Sequence, residues 1–224
     1  MERWATFDCY GTLVDWNGGI HDELEKLFGV EHAGELLARY HRLEPKIQAA
    51  SPGVSYREVL TIALEQLAAE TGLMLPEGEA SALAHSLPTW PVFEDVPEGL
   101  TQARERGWRL GILSNTDRDL VDTSMDSIGV HFDLAIVASE IESYKPAHRH
   151  WEVFRERVGG ADSIRHVHVA QSLYHDIAPA SELGIPSIWI NRLEEPDDPR
   201  PSRTLLTTTR LADTLDELVP PGSD

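Results

Sequence analysis

A regular alternation of strands and helices in the second part of the chain constrains the fold more than any other feature. Apolar, β-prone segments are separated there by segments with helical periodicity. Because parallel strands are joined by helical crossovers, this alternation predicts right-handed βαβ units and a parallel sheet covered on both faces. The run Trp4–Phe7 predicts a further strand of the same sheet. The other predicted strands are Trp108–Leu113, Leu134–Ala138, His166–Ala170 and Pro186–Ile190.

The segment between the first two predicted strands has an almost entirely helical pattern. Apolar residues recur there at three- and four-residue spacing in His21–Phe28, Gly34–Ala50 and Ser55–Thr71. Ser55 and Glu58 have the spacing of a capping box, which predicts that the third helix begins there. We therefore predict an α/β fold with a Rossmann-like parallel sheet core and an inserted helical domain.

The predicted domain limits follow from these patterns. Residues 1–16 and 93–224 form the Rossmann-like core, and residues 17–92 form a helical cap domain. The proline-rich segment Glu195–Pro201 predicts a loop, and the last residues of the chain are expected to be disordered.

Composition argues against two classes of partner. The formal net charge is −19, whereas nucleic-acid binding needs clustered cations that neutralise phosphates. No apolar segment of the sequence reaches the length that spans a bilayer. Cys9 is the single cysteine, which excludes an intramolecular disulfide and indicates a reducing compartment. We expect a cytoplasmic protein that acts on a small-molecule substrate. We expect neither nucleic acid nor a membrane as a partner. The sequence is compatible with a homodimer.

Four loops at the carboxyl ends of the predicted strands carry polar residues. Asp8 follows the first strand, Ser114 and Asn115 follow the second, and Lys145 and Asp176 follow the next two. Since open α/β sheets bind ligands at this edge, we expect the four loops to meet in one crevice. Each loop also has an ordinary structural interpretation. Asp8 can bond its own turn, Ser114 and Asn115 can cap a helix, and Lys145 can be a solvated surface residue.

Together, the four loops resemble the four motifs of the haloacid dehalogenase superfamily in order and in approximate spacing. The matching segments are Asp8-x-Tyr10-Gly11-Thr12, Ser114-Asn115, Tyr144-Lys145-Pro146 and Asp176. The resemblance covers essentially the whole chain, including the helical insertion at the position where this superfamily carries its cap. It implies the fold predicted above and an aspartate nucleophile at position 8.

Tyr10 narrows the resemblance to one branch. Most superfamily members are Mg-dependent phosphatases with a second aspartate, a general acid, at the position that Tyr10 holds here. A phosphate ester expels an alkoxide, which needs a proton as it leaves, whereas a halide ion needs none. The pattern Asp-x-Tyr-Gly-Thr is similar to that of the L-2-haloacid dehalogenases, and so is the segment Ser187–Arg192.

This resemblance implies a two-step nucleophilic mechanism on a short 2-haloalkanoic acid. Asp8 attacks the carbon that bears the halogen, and water then hydrolyses the resulting ester at the aspartyl carboxyl carbon. Lys145 lowers the pKa of Asp8 by charge proximity and aims it. Asp176 positions or deprotonates the water, and Thr12 donates a hydrogen bond to the nucleophile or to the substrate carboxylate.

The same resemblance implies a set of substrate-binding residues. Ser114 and the helix amides after it bind the substrate carboxylate, and Tyr10 forms an aromatic wall. Arg39 has the spacing of a cap arginine that receives the halide, although a surface ion pair with Glu35 explains it equally well. The predicted substrate-binding residues are Tyr10, Arg39, Ser114, Asn115, Trp151 and Gln171.

The chain departs from the branch pattern in its last motifs. Gln171 and Leu173 stand where the branch usually has serine and asparagine, and Trp151 stands where it usually has tyrosine. His175 replaces a common tryptophan and is able to assist the water, although a satisfied or solvated histidine is the ordinary interpretation. Leu173 cannot form a hydrogen bond with its side chain, so one support for the hydrolytic water is missing.

These departures leave two other functions open. The first is a Mg-dependent phosphatase or phosphonate hydrolase, with Mg²⁺ at Asp8 and Asp176. Tyr10 and Gln171 argue against that metal site, because phosphatases carry aspartate at both positions, and we expect no cofactor. The second is a catalytically impaired protein that keeps the fold for binding.

Overall fold

The computed structural model describes residues 1–160 and 163–222, in which six parallel strands form one sheet. The strand order is β3-β2-β1-β4-β5-β6, and each neighbouring pair is parallel. This topology confirms the predicted α/β Rossmann-like core. The strands are Glu2–Phe7 (β1), Trp108–Ser114 (β2), Leu134–Val137 (β3), Ile164–Ala170 (β4), Ser187–Ile190 (β5) and Arg203–Leu205 (β6).

Helices precede and connect the strands throughout the described part of the chain. Four of them lie in sequence between β1 and α5, and five of them follow β2. The α-helices are Trp16–Phe28 (α1), Val30–Ala50 (α2), Tyr56–Thr71 (α3), Ala82–Ser86 (α4), Val96–Glu105 (α5), Arg118–Ile128 (α6), Ala138–Ile141 (α7), Arg149–Arg157 (α8), Ala178–Glu182 (α9) and Leu211–Leu218 (α10). Short 3₁₀ turns occupy Glu79–Ser81, Leu87–Thr89 and Thr208–Arg210, and a π-helical turn occupies Leu173–Ile177.

The helical segment between β1 and α5 is attached to the core at the start of α3. The predicted capping box is present, since Ser55 Oγ accepts from the Glu58 N–H and the Glu58 carboxylate accepts from the Ser55 N–H. Asp117, in the loop after β2, accepts from the N–H groups of Tyr56 and Arg57 at 2.9 and 3.0 Å. This loop of the core therefore binds the positive end of α3. The domain limits at residues 17 and 92 stay a prediction.

The carboxyl-terminal segment is more ordered than its sequence suggests. Residues 195–201 form a loop as predicted, but β6 and α10 follow it. The expectation of disorder concerns only the last residues, and ordered structure continues through α10, where Leu211 and Leu215 are fully buried against α5. Residues 223 and 224, to which that expectation applies, lie outside the described residues.

None of the helices in the described ranges combines the length and the apolar character that crossing a membrane requires. The longest, α2, carries charged side chains along its exposed face and contains a proline, Pro45.

Candidate active site

The turn after β1 places two candidate residues side by side. Gly11 has a φ of +89°, a backbone conformation that residues with a side chain rarely adopt. The N–H groups of Leu13 and Val14 both donate to the Cys9 carbonyl. The chain thereby folds back so that Thr12 Oγ1 donates to Asp8 Oδ2 at 3.0 Å. Thr12 Oγ1 also accepts from the Gln171 N–H at 2.9 Å, which ties this turn to the end of β4.

The Lys145 ammonium lies between two carboxylates that come from different strands. It donates to Asp8 Oδ1 at 2.9 Å, to Asp176 Oδ1 at 2.6 Å and to the Leu113 carbonyl at 2.8 Å. These three bonds use all three ammonium protons. Asn115 fixes the backbone of Lys145 from both sides, because its Oδ1 accepts from the Lys145 N–H and its Nδ2 donates to the Lys145 carbonyl. The predicted convergence of the four loops is observed.

Burial and charge act in opposite directions on the three ionisable groups. Burial raises the pKa of Asp8, the charge of Asp176 adds to this rise, and Lys145 opposes it. Lys145 lowers the pKa of Asp8 as expected, but burial outweighs it, so the net shift is upward. Burial alone would also raise the pKa of Asp176, but Lys145 and His168 lower it well below its usual value. The two carboxylates raise the pKa of Lys145 although burial opposes them, so its charge persists.

An imidazole orients Asp176 from the side of β4. His168 Nε2 donates to Asp176 Oδ1 at 2.9 Å, and His168 Nδ1 lies 2.9 Å from Thr6 Oγ1 on β1. The same hydroxyl lies 2.7 Å from His166 Nε2. This row of side chains holds the Asp176 carboxylate through Oδ1, and sequence reasoning did not assign it a role in the site.

Three buried polar atoms at the site have no hydrogen-bond partner among the described residues. They are Ser114 Oγ, His175 Nε2 and Asp176 Oδ2. Asp176 and His175 lie on the π-helical turn after β4, a distortion that is common at functional sites. Burial lowers the pKa of His175 to about 4, so its ring is neutral at pH 7. Because unpaired buried polar groups are costly, these atoms point to a bound ligand or water.

The three atoms belong to residues that surround a small cavity of about 90 Å³. This volume limits a ligand to a small molecule. The cavity lies between the carboxyl edge of the sheet and the first three helices. Its lining residues are Asp8, Tyr10, Trp16, Glu44, Gln48, Tyr56, Ser114, Asn115, Lys145, Gln171, Ser172, His175 and Asp176.

Two predicted substrate-binding residues do not line this cavity. The Arg39 guanidinium donates twice to Glu35 Oε1, at 2.6 and 3.0 Å, on the exposed side of α2. The structure therefore favours the surface ion pair over the halide contact. Trp151 is fully buried in a hydrophobic cluster, and its ring packs edge-on against His168 with 5.3 Å between centroids. It contacts the site through that imidazole instead of through the cavity.

The other four predicted substrate-binding residues line the cavity, and their contacts refine the functions expected of them. The Tyr10 hydroxyl lies 3.0 Å from Ser124 Oγ, and burial raises the pKa of Tyr10 well above its usual value. Gln171 Nε2 donates to Glu195 Oε2 at 3.3 Å, so the carboxyl-terminal loop reaches the rim. Asn115 uses its amide group mainly on the Lys145 backbone.

Five lining residues were missed: Ser172 before the π-helical turn, and four from the first three helices. The four helical residues are Trp16, Glu44, Gln48 and Tyr56. Glu44 and Gln48 had a detectable signal, because they follow Tyr40 at four-residue spacing and share its buried helix face. A carboxylate on the apolar face of a helix is rare without a specific partner.

The donor set does not fit a divalent cation between the two aspartates. In the described ranges no three His, Cys, Asp or Glu side chains form a group that could hold a metal ion. Lys145 already bonds one oxygen of each carboxylate, and Thr12 bonds the second oxygen of Asp8. Asp176 Oδ2 is the one carboxylate oxygen of this pair that no described residue bonds. A hard cation needs several such oxygens.

Comparisons with known proteins find relatives by sequence and solved structures with the same fold. An (S)-2-haloacid dehalogenase of Pseudomonas sp. (strain YL) is 28% identical over 190 residues, which cover 83% of this chain and 81% of that protein. Haloacetate dehalogenase H-2 of Moraxella sp. (strain B) is 30% identical over 192 residues, covering 83% of this chain and 84% of the relative. The crystal structure of an L-2-haloacid dehalogenase has the same fold, with a TM-score of 0.85 and 23% identity over 96% of this chain and 99% of that one.

The family model spans most of the sequence. It describes a haloacid dehalogenase-like hydrolase and matches residues 3–180, which include Asp8, Ser114, Lys145 and Asp176. The match therefore covers β1, the helical segment and the strands that carry the site. On this evidence the chain belongs to the haloacid dehalogenase-like hydrolases.

Proposed function

We propose that this protein hydrolyses the carbon–halogen bond of a short 2-haloalkanoic acid through an ester on Asp8. The observation that carries the proposal is the Asp8 carboxylate at the cavity, held by Lys145 on one oxygen and by Thr12 on the other. Two bonds fix its direction, and the adjacent cation favours its ionised, nucleophilic form. The names of the relatives support the same reaction.

The proposed first step is a displacement at carbon. A carboxylate oxygen of Asp8 forms a bond to the 2-carbon as the carbon–halogen bond breaks, and the halide leaves with the bonding electron pair. The residue two positions after the nucleophile is Tyr10, whose buried hydroxyl keeps its proton because burial raises its pKa. That environment suits a leaving group that needs no proton.

The proposed second step restores the enzyme. A water molecule bonded to Asp176 Oδ2 attacks the carboxyl carbon of the Asp8 ester and gives one proton to that Asp176 oxygen, which passes it to the departing ester oxygen. The second water proton is released as the Asp8 carboxylate forms again. The ester oxygen leaves as the hydroxyl of the 2-hydroxy acid, and the water oxygen stays in the Asp8 carboxylate. Asp176 is oriented by Lys145 and His168, and it lines the cavity with Oδ2 left unbonded by the described residues. His175 Nε2 is a second unpaired atom for that water.

The proposal also covers the helical cap, the absence of a metal requirement and the location of the protein. The helices of residues 17–92 act as a cap that closes over the substrate and excludes bulk water. The reaction needs no metal, since the Lys145 ammonium holds both carboxylates. The single cysteine supports a cytoplasmic location.

Halide release tests the reaction and separates it from its alternatives. Racemic 2-chloropropionate is incubated with the protein with and without EDTA, and chloride and lactate are measured. Equal release under both conditions is expected. Hydrolysis of an aryl phosphate that EDTA abolishes, without chloride release, would instead indicate the Mg-dependent phosphatase. Turnover that survives Asp8→Asn unchanged would remove the proposed nucleophile.

Isotope labelling tests the ester. A single turnover is run in heavy-oxygen water with enzyme in excess over 2-chloropropionate. The label is expected in the peptide that contains Asp8, and the lactate formed is expected to carry the original aspartate oxygen. Label found in lactate alone would mean that water attacks the substrate directly.

A further inference from the structure

Glu44 is a buried carboxylic acid that the proposed mechanism does not use. It lies on α2, is 6% exposed and lines the cavity opposite the carboxyl edge of the sheet. Its neighbours on the same helix face, Leu36, Tyr40 and Ile47, belong to the hydrophobic core. A carboxyl group at such a position needs specific partners to be tolerated.

Both protein partners of Glu44 bond the same oxygen. The Tyr56 hydroxyl donates to Oε1 at 2.7 Å, and the Tyr40 hydroxyl donates to Oε1 at 3.4 Å. Trp16 Nε1 donates in turn to the Tyr56 hydroxyl at 3.1 Å, which fixes that hydroxyl as a donor to Glu44. No described residue bonds Oε2. When Glu44 is protonated its proton therefore lies on Oε2, the oxygen left for a ligand in the cavity.

The surroundings of Glu44 hold it near the point of ionisation at neutral pH. Burial raises the pKa of Glu44 to about 7, with the two tyrosine hydroxyls opposing the rise and the charge of Asp8 adding to it. Charged and titratable groups face it from its own helix, from α3, from the turn after β1, from the loop before α8 and from the π-helical turn. These groups are Tyr40, Tyr56, Asp8, Tyr144, Lys145, His175 and Asp176.

Ser114 Oγ is an unpaired donor for an anionic substrate, but none of the described lining residues offers it an uncommitted cation. Among the described lining residues Lys145 is the one cation at neutral pH, and its three protons are committed to Asp8, Asp176 and the Leu113 carbonyl. Arg39 bonds Glu35 outside the cavity. An ionised Glu44 would add a third negative charge to the walls, whereas a protonated Glu44 adds a donor.

We propose that Glu44, as the neutral acid, donates the Oε2 proton in a hydrogen bond to the carboxylate of the bound 2-haloalkanoate. Glu44 is then a specificity-determining residue of the helical cap, and its ionisation excludes the anionic substrate. This assignment rests on the proposed function for the identity of the substrate. The assignment concerns recognition of the substrate carboxylate, so it is tested by measuring the binding of a molecule that cannot react.

Isobutyrate is a suitable probe, because a methyl group replaces the halogen and the molecule cannot react. Its dissociation constant is measured by calorimetry at about pH 6 and about pH 8.5, where the probe itself stays ionised. If the ionised form of Glu44 does not bind the anion, the wild-type dissociation constant rises by about 30-fold over this range. The neutral analogue isobutyramide is expected to show no such change.

Glu44→Gln mimics the neutral acid at every pH. The amide oxygen still accepts from both tyrosines, and the amide nitrogen donates where Oε2 donated. This variant is expected to bind isobutyrate with the same affinity at both pH values. Glu31→Gln is the matched control, since it makes the same change at an exposed position of α2, and it should keep the wild-type pH dependence.

Tyr56→Phe supplies an independent variant if Glu44→Gln does not fold. It removes the 2.7 Å bond that favours the ionised form, so the pH midpoint of isobutyrate binding is expected to move upward. Wild-type affinity that does not change with pH, a Glu44→Gln variant that keeps the wild-type pH dependence, or no isobutyrate binding at about pH 6 would each overturn the assignment. Absence of chloride release with pH-dependent isobutyrate binding would refute the reaction and leave the recognition intact.

Discussion

Lys145 is the residue on which the electrostatic balance of the site depends. It is buried, and so are the two carboxylates that it joins. Removal of one member of a buried charge cluster leaves the others without compensation, which costs far more than the net value of the intact cluster. Two like charges at short distance cannot both stay ionised without the cation between them.

We predict that Lys145→Met lowers the free energy of unfolding by about 3–5 kcal/mol at pH 8. In the wild type, the lowered pKa of Asp176 gives stability that is present above the usual aspartate range and is lost as the pH falls through it. In the variant both carboxylates lose their cation, so their pKa values rise. Protonation then removes the repulsion between them. The difference between the two proteins should therefore shrink as the pH falls towards 4, which denaturant titrations at several pH values would measure.

Lys26→Met is the matched control for this prediction. Lys26 is an exposed lysine of α1 that pairs with Glu23 at the surface, and its loss should leave the melting temperature unchanged within error. Equal destabilisation by both substitutions, or a Lys145→Met penalty that grows at low pH, would contradict the proposed charge cluster.

For single residues, the sequence predicts which side chains reach the site from strand ends better than which reach it from helices. Asp8, Ser114, Lys145 and Asp176 meet because parallel strands end at one edge, a consequence of topology that a single sequence reveals. Which helix face lines the cavity depends on how α2 packs, and a shift of one residue rotates a side chain by about 100°. Arg39 and Glu44 lie on the same helix, and its rotation places Glu44 in the cavity and Arg39 outside.

At the scale of elements, Arg192 joins three segments that are far apart in sequence. Its guanidinium forms a two-point ion pair with Asp95 before α5 at 3.0 and 3.0 Å, and Arg192 Nε donates to the Thr12 carbonyl at 3.0 Å. Asp95 also accepts from the Thr208 N–H and hydroxyl. The end of β5, the start of α5 and the turn after β1 are thereby held together.

We predict that Arg192→Met lowers the free energy of unfolding by about 2 kcal/mol near neutral pH, because the two-point pair and the bond to the turn are lost together. Hydrogen bonds from Arg192 and Thr208 lower the pKa of Asp95 to about 2 although burial opposes them. The stability from this lowered pKa is complete above the usual aspartate value and is lost as the pH falls towards 2. The penalty should thus be largest above about pH 4 and shrink below it.

Arg200→Met provides the comparison at an exposed pair. Arg200 bonds Asp198 through two nitrogens on the carboxyl-terminal loop, yet solvent screens that pair. Thermal melts should show no change for Arg200→Met at any pH. If the two variants lose the same stability, the three-segment connection through Arg192 is not a stabilising contact.

The length of an element decides whether its pattern is visible in the sequence. The five longer strands were predicted within a few residues, because short β-prone segments rich in apolar residues stand out between helical segments. β6 has three residues, two of them exposed, and it follows a proline-rich loop. Its position at the sheet edge depends on pairing with β5, which no local pattern reveals. In α10 the four-residue spacing of Leu211 and Leu215 is a helical pattern that the sequence analysis did not use.

At the scale of the whole molecule, charge opposes compactness. The chain has 38 acidic residues against 19 lysines and arginines, which gives the formal net charge of −19. Such self-repulsion is greatest in the compact state and favours unfolding, while it also keeps the protein soluble. Many of the basic residues are used in surface ion pairs, each of which contributes little.

We predict that added sodium chloride raises the melting temperature at pH 8. An increase from about 10 mM to about 500 mM shortens the screening length from about 30 Å to a few ångströms, which weakens the summed repulsion across the molecule. The surface ion pairs also weaken, but their contribution is smaller, so a gain of several degrees is expected. Near the isoelectric point of about 4.8 the repulsion is absent, and the same addition should leave the melting temperature unchanged or lower it. A melting temperature that falls with salt at pH 8 would mean that specific ion pairs outweigh the net charge.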